Sequence, residues 1–216
     1  MKFTFFIMTL LIVQNTFAQT PSIKVLDTNF SKGTLNHKQT VTLKEVAKFH
    51  GHLCDGLVVG FLGAKEVLYQ LYPDGLVDRT NTRIISKSSP CLTDVAIYLT
   101  GGRYQFNTFF VSDSIHYIYV IQRISDGKAF GVKLKPGTKP AEIDRLGNLA
   151  IDKKLNACEL EELRKLEDAF SKKMLNSNPS DNFIIEELFD FKWEPQLQNK
   201  FIKTDIINKD KGTCIK

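Results

Sequence analysis

The sequence predicts a protein of the α+β class, because helical periodicity and strand-like runs occupy separate blocks along the chain. Two helical stretches come first, within residues 42–72, and four strand-like runs fall within residues 82–134. Helical periodicity then returns from residue 141 to residue 175. With 216 residues, the chain is long enough for one domain with additions but short for two full domains.

The first 18 residues have the organisation of a secretory signal peptide. Lys2 is followed by an apolar run over residues 3–13, and Ala18 supplies a small residue where cleavage is expected. The run is too short to span a bilayer, which takes about 20 apolar residues, and no later segment reaches that length. We therefore expect an exported protein, periplasmic or extracellular, without a membrane span, in which residues 19–40 lead into the fold.

The charge of the chain gives no sign of nucleic-acid binding. Its 29 Lys and Arg residues only slightly outnumber its 24 Asp and Glu residues, and the bases are spread along the sequence. A nucleic-acid site needs a concentrated basic face with aromatic platforms. The lysine-rich residues 193–216 are expected to form a solvated tail.

The first helical block predicts two helices joined by a short turn. Thr42 is a typical N-cap for the first helix, which runs to His50 and is stopped by Gly51. The second helix is expected from Cys54 to Tyr72. Because glycine weakens an exposed helix by about 1 kcal/mol relative to alanine, the small residues of this helix indicate close packing against a sheet or a partner helix. They are Gly56, Gly60, Gly63 and Ala64.

The central block predicts four strands and one more helix. A strand over Thr82–Lys87 is followed by Ser89 and Pro90, which are typical of a helix N-cap and a first helical position. That helix is expected to end at Gly101. Three further strands are expected over residues 106–111, 116–124 and 128–134, joined by turns at 112–114 and 125–127.

The C-terminal part predicts a helical extension over residues 137–192, packed on a core domain of residues 41–136. Helical periodicity dominates residues 141–175, and a shorter amphipathic stretch follows over residues 183–191.

The segment from His50 to Cys54 concentrates chemistry in five residues. It contains His50, His52 and Cys54, and so holds two of the four histidines of the chain. Imidazole and thiolate are the ligands that zinc and other borderline-soft metals prefer. A buried thiol beside a helix-capping histidine is the structural alternative.

Cys91 is a further candidate ligand. Cys54 and Cys91 each fall at a predicted helix N-terminus, where the peptide dipoles favour a thiolate. If the two helix starts meet, His52, Cys54 and Cys91 could hold a zinc-like ion, with His50 as a weaker candidate. Three protein ligands leave one position open for water or a small ligand, whereas four close the site.

Two carboxylates, Asp55 and Asp94, fall in the first turns of the same helices, where acids commonly act as partners of the helix dipole. Asp94 is the better candidate for a functional role, either orienting a metal-bound imidazole or acting as a general base. His116 is interpreted as a packed or edge residue of a strand, and His37 as a solvated residue ahead of the fold.

Four cysteines allow three pairings, and the sequence does not choose between them. We interpret Cys158 and Cys214 as a structural disulfide. A disulfide between Cys54 and Cys91 is the main alternative to a metal site.

Residues 49–57, Phe-His-Gly-His-Leu-Cys-Asp-Gly-Leu, with Gly60 after them, closely resemble the signature of the FmdE family, which is named for a component of formylmethanofuran dehydrogenase. A second family block, a Cys followed by Asp-Ala, a helix and Leu-Thr-Gly, resembles Cys91–Gly101. The resemblance covers roughly residues 41–136, and its first block is specific.

The resemblance implies a thioredoxin-like α+β domain with a mixed sheet of about five strands flanked by helices. It also implies a site that can hold zinc, formed by His52 and Cys54, with His50 adjacent, and by Cys91 with Asp94.

The chain departs from the family pattern at two positions of these blocks. Asp55 stands where the family usually has Pro, and Gly102 stands where a further Cys is often found. The zinc-finger domain that some members append is not visible in the sequence. Together with the expected signal peptide, these departures argue against association with a cytoplasmic molybdenum or tungsten dehydrogenase.

Three functional hypotheses follow. The first is an exported metal-binding domain, and whether it is an enzyme is left open. The second is a thiol-disulfide redox protein that uses Cys54 and Cys91. The third is a module that binds a small ligand or another protein through its glycine-faced helix, with homodimer formation also left open.

Overall fold

The computed structural model describes residues 20–31 and 33–195, which form a mixed α+β fold. The strands are β1 (Ser22–Thr28), β2 (Leu35–Thr42), β3 (Leu76–Asp78), β4 (Thr82–Ser86), β5 (Phe109–Val111), β6 (Tyr119–Arg123), β7 (Ala129–Leu134) and β8 (Phe183–Glu187). The helices are α1 (Leu43–His50), α2 (Asp55–Leu71), α3 (Pro90–Thr100), α4 (Ala141–Ile151), α5 (Ala157–Asn176) and α6 (Pro179–Asn182). The signal peptide expected at residues 1–18 and most of the expected tail lie outside the described residues.

The main sheet has five strands in the order β5-β4-β6-β7-β8, which confirms the expected mixed sheet of about five strands. β4 and β5 are parallel because α3 forms the crossover between them, and the other neighbours are antiparallel. The expected turn pairing between residues 106–111 and 116–124 is therefore wrong, since β4 lies between β5 and β6. The fifth strand is β8, which comes from a stretch whose pattern indicated a helix.

A second sheet, in the order β2-β1-β3, lies in the part that was expected only to lead into the fold. β1 pairs antiparallel with β2 and parallel with β3. Ile23 and Val25 alternate with more exposed residues along β1 and are fully buried in the main core. This period-2 pattern was visible in the sequence, but it covers too few residues to distinguish a strand from an extended loop.

Helix α2 is the centre of the core. Its buried side chains include Leu57, Phe61 and Leu68, and they pack with residues from one face of the main sheet and from α3, α4 and α5. The other face of the sheet carries a smaller cluster, formed by Ile85, Phe110 and Val120, which Leu188, Phe191 and Trp193 cover. None of the helices within residues 20–31 and 33–195 is long and apolar enough to cross a membrane.

Candidate metal centre

The first part of the site is the turn between α1 and α2. Thr42 and Glu45 form a capping box at the start of α1, so the helix begins where the sequence indicated. His50 is the last residue of α1, and Gly51 follows in the left-handed conformation with φ of 110°. This reversal separates His50, which stays on the helix, from His52, which lies beyond the turn.

The second part is formed by the N-termini of α2 and α3. Cys54 is the N-cap of α2, and its Sγ accepts a hydrogen bond from the backbone N–H of Leu57 at 3.4 Å. Ser89 caps α3 and Pro90 is its first residue, as the sequence indicated, so that Cys91 lies in the first turn. Both sulfurs therefore lie near the positive end of a helix dipole.

Glycine in α2 lets the two helix starts approach each other. A Cβ atom at Gly56 would lie only 3.0 Å from Cys91 Cβ and 3.1 Å from Cys91 Sγ. Gly60 and Gly63, further along the same helix, face Tyr119 and Phe183 at similarly short distances. The close packing that the glycine spacing predicted is confirmed.

Three donor atoms converge at this place. Cys54 Sγ and Cys91 Sγ are 3.2 Å apart, and His50 Nε2 lies 4.0 Å from Cys54 Sγ and 3.6 Å from Cys91 Sγ. Among the described residues, these three form the group of His, Cys, Asp or Glu side chains that could hold a metal ion. All three residues are half-buried.

The donor set fits zinc in both chemistry and dimensions. A tetrahedral zinc ion with Zn–S near 2.3 Å and Zn–N near 2.0 Å sets its donor atoms about 3.5–3.8 Å apart. The observed separations of 3.2, 3.6 and 4.0 Å span that range, so side-chain adjustments of a few tenths of an ångström would suffice. One imidazole and two thiolates match zinc better than they match the hard cations magnesium or calcium.

Asp94 holds the imidazole of His50 in place. Its Oδ2 lies 2.8 Å from His50 Nδ1, while the His50 side chain is only 1% exposed. A proton on Nδ1 would be donated to this carboxylate, which leaves the lone pair of Nε2 directed toward the two sulfurs. Asp94 therefore contacts a candidate ligand and not the place where a metal would lie.

The two thiols differ in acidity because they lie in contact. The thiol of Cys54 donates a hydrogen bond to the sulfur of Cys91, which lowers the pKa of Cys91. The same contact raises the pKa of Cys54, and burial raises it further. For Cys54 these effects outweigh the helix N-terminus, which the sequence alone suggested would favour a thiolate at both positions.

His52 is not part of the group that the structure brings together. Its side chain is exposed, and its ring lies 4.6 Å from the ring of His50, centroid to centroid. The candidate imidazole ligand by geometry is thus His50, which the sequence ranked below His52. His37 and His116 are exposed residues outside the group.

A charged cluster beside the site was not anticipated from the sequence. Asp55, which follows Cys54, is 9% exposed, and its Oδ2 lies 3.4 Å from Lys139 Nζ. Lys139 also pairs with Asp144 at 3.0 Å, so one lysine links the first turn of α2 to α4. Burial, with Asp55 adding to it, raises the pKa of the nearby Glu167 to about 7. No spacing in the sequence indicates this cluster, because its members come from three distant segments.

Glu167→Gln should stabilise the protein at pH 8 but not at pH 5. The raised pKa means that folding favours the protonated acid, so this contribution is complete below the ordinary value of 4.5 and is lost as the pH rises through about 7. Because the side chain is partly exposed, we expect a gain of about 1 kcal/mol at pH 8 after allowing for solvent screening. Urea unfolding at both pH values measures it, with Glu162→Gln, an exposed position on the same helix, as the control. An equal change at both pH values would contradict the assignment.

Cys54 and Cys91 are free thiols, whereas Cys158 is disulfide-bonded. Cys214, with which the sequence paired Cys158, lies outside the described residues.

The comparisons with known proteins agree with the resemblance found in the sequence. The profile of the family described as "FmdE, Molybdenum formylmethanofuran dehydrogenase operon" matches residues 49–184, more than half of the chain and well past Pro136. Among solved structures, an FmdE-like protein of tungsten formylmethanofuran dehydrogenase from Syntrophus aciditrophicus matches with 16% identity and a TM-score of 0.44, over 74% of this chain and 80% of that chain. No curated protein matches. The chain belongs to the FmdE family.

Proposed function

We propose that this protein is an exported zinc-binding protein whose ion is held by His50, Cys54 and Cys91. The observation that carries the proposal is the triangle of donor atoms, with separations of 3.2, 3.6 and 4.0 Å, at the meeting point of α1, α2 and α3. Membership of the FmdE family supports it, because the family signature contains both His50 and Cys54.

Three protein ligands leave a fourth position for water or a small ligand, the arrangement that catalytic zinc sites share. Zinc bound in this way supplies Lewis acidity and lowers the pKa of a bound water. The chain contributes the fixed imidazole, through the contact between Asp94 and His50, and the exposed His52 beside it. Asp94 keeps a positioning role in this proposal, because its carboxylate is occupied by His50.

The test is elemental analysis of protein purified without chelator and dialysed after zinc addition. We expect about one zinc per chain, and a large loss of bound zinc in Cys91→Ala. Leu53→Ala, at an exposed position next to Cys54, is the matched control and should retain the metal. A wild-type protein with far less than one equivalent, or full retention in Cys91→Ala, would refute the proposal.

A second candidate function is thiol-disulfide exchange. The observation that favours it is the 3.2 Å contact between the sulfurs of Cys54 and Cys91, which a disulfide would shorten to about 2.05 Å. A disulfide in a partner molecule would take two electrons from the two thiols, giving a Cys54–Cys91 disulfide and two partner thiols. Counting reactive thiols in the same preparations separates the two functions. Zinc binding predicts thiols exposed by EDTA alone, and redox function predicts thiols exposed only by a reductant.

The third hypothesis, ligand binding through the glycine face of α2, loses its main support. That face is filled by Cys91, Tyr119 and Phe183 of the same chain. A homodimer could still form through another surface, and the mass of the protein in solution tests it.

Export and a thioredoxin-like core are retained as parts of the proposal. The apolar run over residues 3–13 and Ala18 support export. The mass of the mature protein tests it, since a product that begins at Gln19 is expected. The thioredoxin-like core rests on the family resemblance alone, and an experimental structure tests it.

A further inference from the structure

We propose that Tyr119 is a positioning residue for the metal centre, because its buried hydroxyl sets the place of Cys91 through the first turn of α3. The inference rests on the proposed zinc site and adds a residue from the sheet to the part of the molecule that determines the site. It depends on three contacts of the Tyr119 side chain and backbone.

The first contact joins the sheet to the helix that carries Cys91. Tyr119 is the first residue of β6 and is fully buried, and its hydroxyl donates a hydrogen bond to the backbone carbonyl of Leu92 at 2.8 Å. Leu92 directly follows Cys91, so the bond acts on the helical turn that carries the sulfur. In the sheet, Tyr119 pairs with Ser86, the last residue of β4, from which the chain runs into α3.

The second contact joins the same hydroxyl to α2. A Cβ atom at Gly60 would lie 2.6 Å from Tyr119 Oη, so the hydroxyl occupies the space that this glycine leaves. Gly56, one turn earlier on the same face, leaves the space that Cys91 occupies, with 3.1 Å from its Cβ position to Cys91 Sγ. One face of α2 therefore receives Cys91 in one notch and the Tyr119 hydroxyl in the next.

These contacts make the distance between the sulfurs depend on Tyr119. Cys54 is fixed at the start of α2, and Cys91 is fixed by the height of the first turn of α3 above the sheet. The Tyr119 hydroxyl lies between the two helices and is bonded to one of them. Without it, the Leu92 carbonyl loses a buried donor, and the space beside Gly60 allows the turn to shift relative to Cys54.

The experiment compares Tyr119→Phe with Tyr72→Phe. Tyr72 is also a buried tyrosine, and its hydroxyl bonds to Thr82 Oγ1 at 2.7 Å near the far end of α2, away from the site. Loss of a residue that supports a metal ligand typically weakens metal binding 10–100-fold, so we expect Tyr119→Phe to weaken zinc binding about tenfold. Tyr72→Phe should lower the melting temperature comparably and leave zinc affinity unchanged. Competition with a chromophoric chelator gives the affinities, and the sulfur-to-metal absorption of the cobalt-loaded proteins reports the geometry.

A double variant separates positioning from simple stability. Gly60→Ala alone should lower the melting temperature, because the new methyl group meets the Tyr119 hydroxyl at 2.6 Å. In the Tyr119→Phe background that hydroxyl is gone, so Gly60→Ala should raise the melting temperature through its helix propensity. The zinc affinity of the double variant should remain about tenfold weaker than wild type, because the bond to the Leu92 carbonyl is still missing.

The outcomes distinguish this inference from the proposed function. If the wild-type protein binds no zinc, the proposed function fails. If the wild type binds zinc and Tyr119→Phe binds it as tightly as Tyr72→Phe does, the zinc site stands and the role of Tyr119 is refuted. Recovery of zinc affinity together with the melting temperature in the double variant would likewise refute it, because the hydroxyl would then contribute to stability alone.

Discussion

Replacing His50 with Ala should lower the affinity for zinc about 100-fold or more, since removing a ligand exceeds the 10–100-fold loss typical of removing a residue that supports one. Replacing His52 with Ala should leave the affinity nearly unchanged. His50 Nε2 lies 3.6 and 4.0 Å from the two sulfurs, whereas His52 is exposed and outside the donor group. The two substitutions remove the same side chain two residues apart, so each serves as the control for the other.

Zinc competition with a chromophoric chelator measures both affinities, and cobalt absorption shows whether the number of ligands has changed. Asp94→Asn should give an intermediate loss, about tenfold, because the imidazole remains while the acceptor that fixes it weakens. A larger loss in His52→Ala than in His50→Ala would overturn the geometric assignment and restore the order suggested by the sequence.

The choice between the two histidines shows where sequence reasoning about the site ends. The clustering of His50, His52 and Cys54, and the position of Cys91 near a helix start, were sufficient to locate the site. Which imidazole faces the sulfurs depends on the left-handed turn at Gly51 and on how α1 lies against α3. That relation between helices is set by tertiary packing, which no local spacing encodes.

The fold divides in the same way. Helix boundaries followed from local chemistry, namely Thr42 at the start of α1, Gly51 at its end, and Ser89 with Pro90 at the start of α3. The partners of the strands did not follow, because pairing joins residues far apart in sequence. β8 is an example, since the run Phe183–Glu187 has two apolar residues after Phe183 and then two acids, which suits one turn of an amphipathic helix as well as an edge strand.

Phe61→Ala should lower the free energy of unfolding by about 3–5 kcal/mol, which for a chain of this size is a fall in melting temperature of about 10 °C. Phe61 is fully buried near the middle of α2, within the main core, where the loss of the ring leaves a cavity that close-packed neighbours can only partly fill. Thermal unfolding of the chelator-treated protein measures the change without a contribution from bound metal.

Phe49→Ala is the matched control, because it removes the same ring from a position that is 54% exposed and next to His50. Its melting temperature should fall far less. Saturating zinc should raise the melting temperature of Phe61→Ala, since a ligand that binds only the folded state stabilises it by mass action. A similar fall for both variants would contradict the placement of α2 at the centre of the core.

The pairing of β7 with β8 affects how the protein is made. Residues 129–134 find their second neighbour only in residues 183–187, about fifty residues later. While the ribosome is still synthesising α4 and α5, the open edge of β7 can bind other extended chains, which is the usual origin of aggregation in half-made sheets. A shortened gene that stops soon after residue 136 would make that vulnerable stage permanent. Recombinant fragments intended to carry the cysteines should therefore continue beyond Glu187.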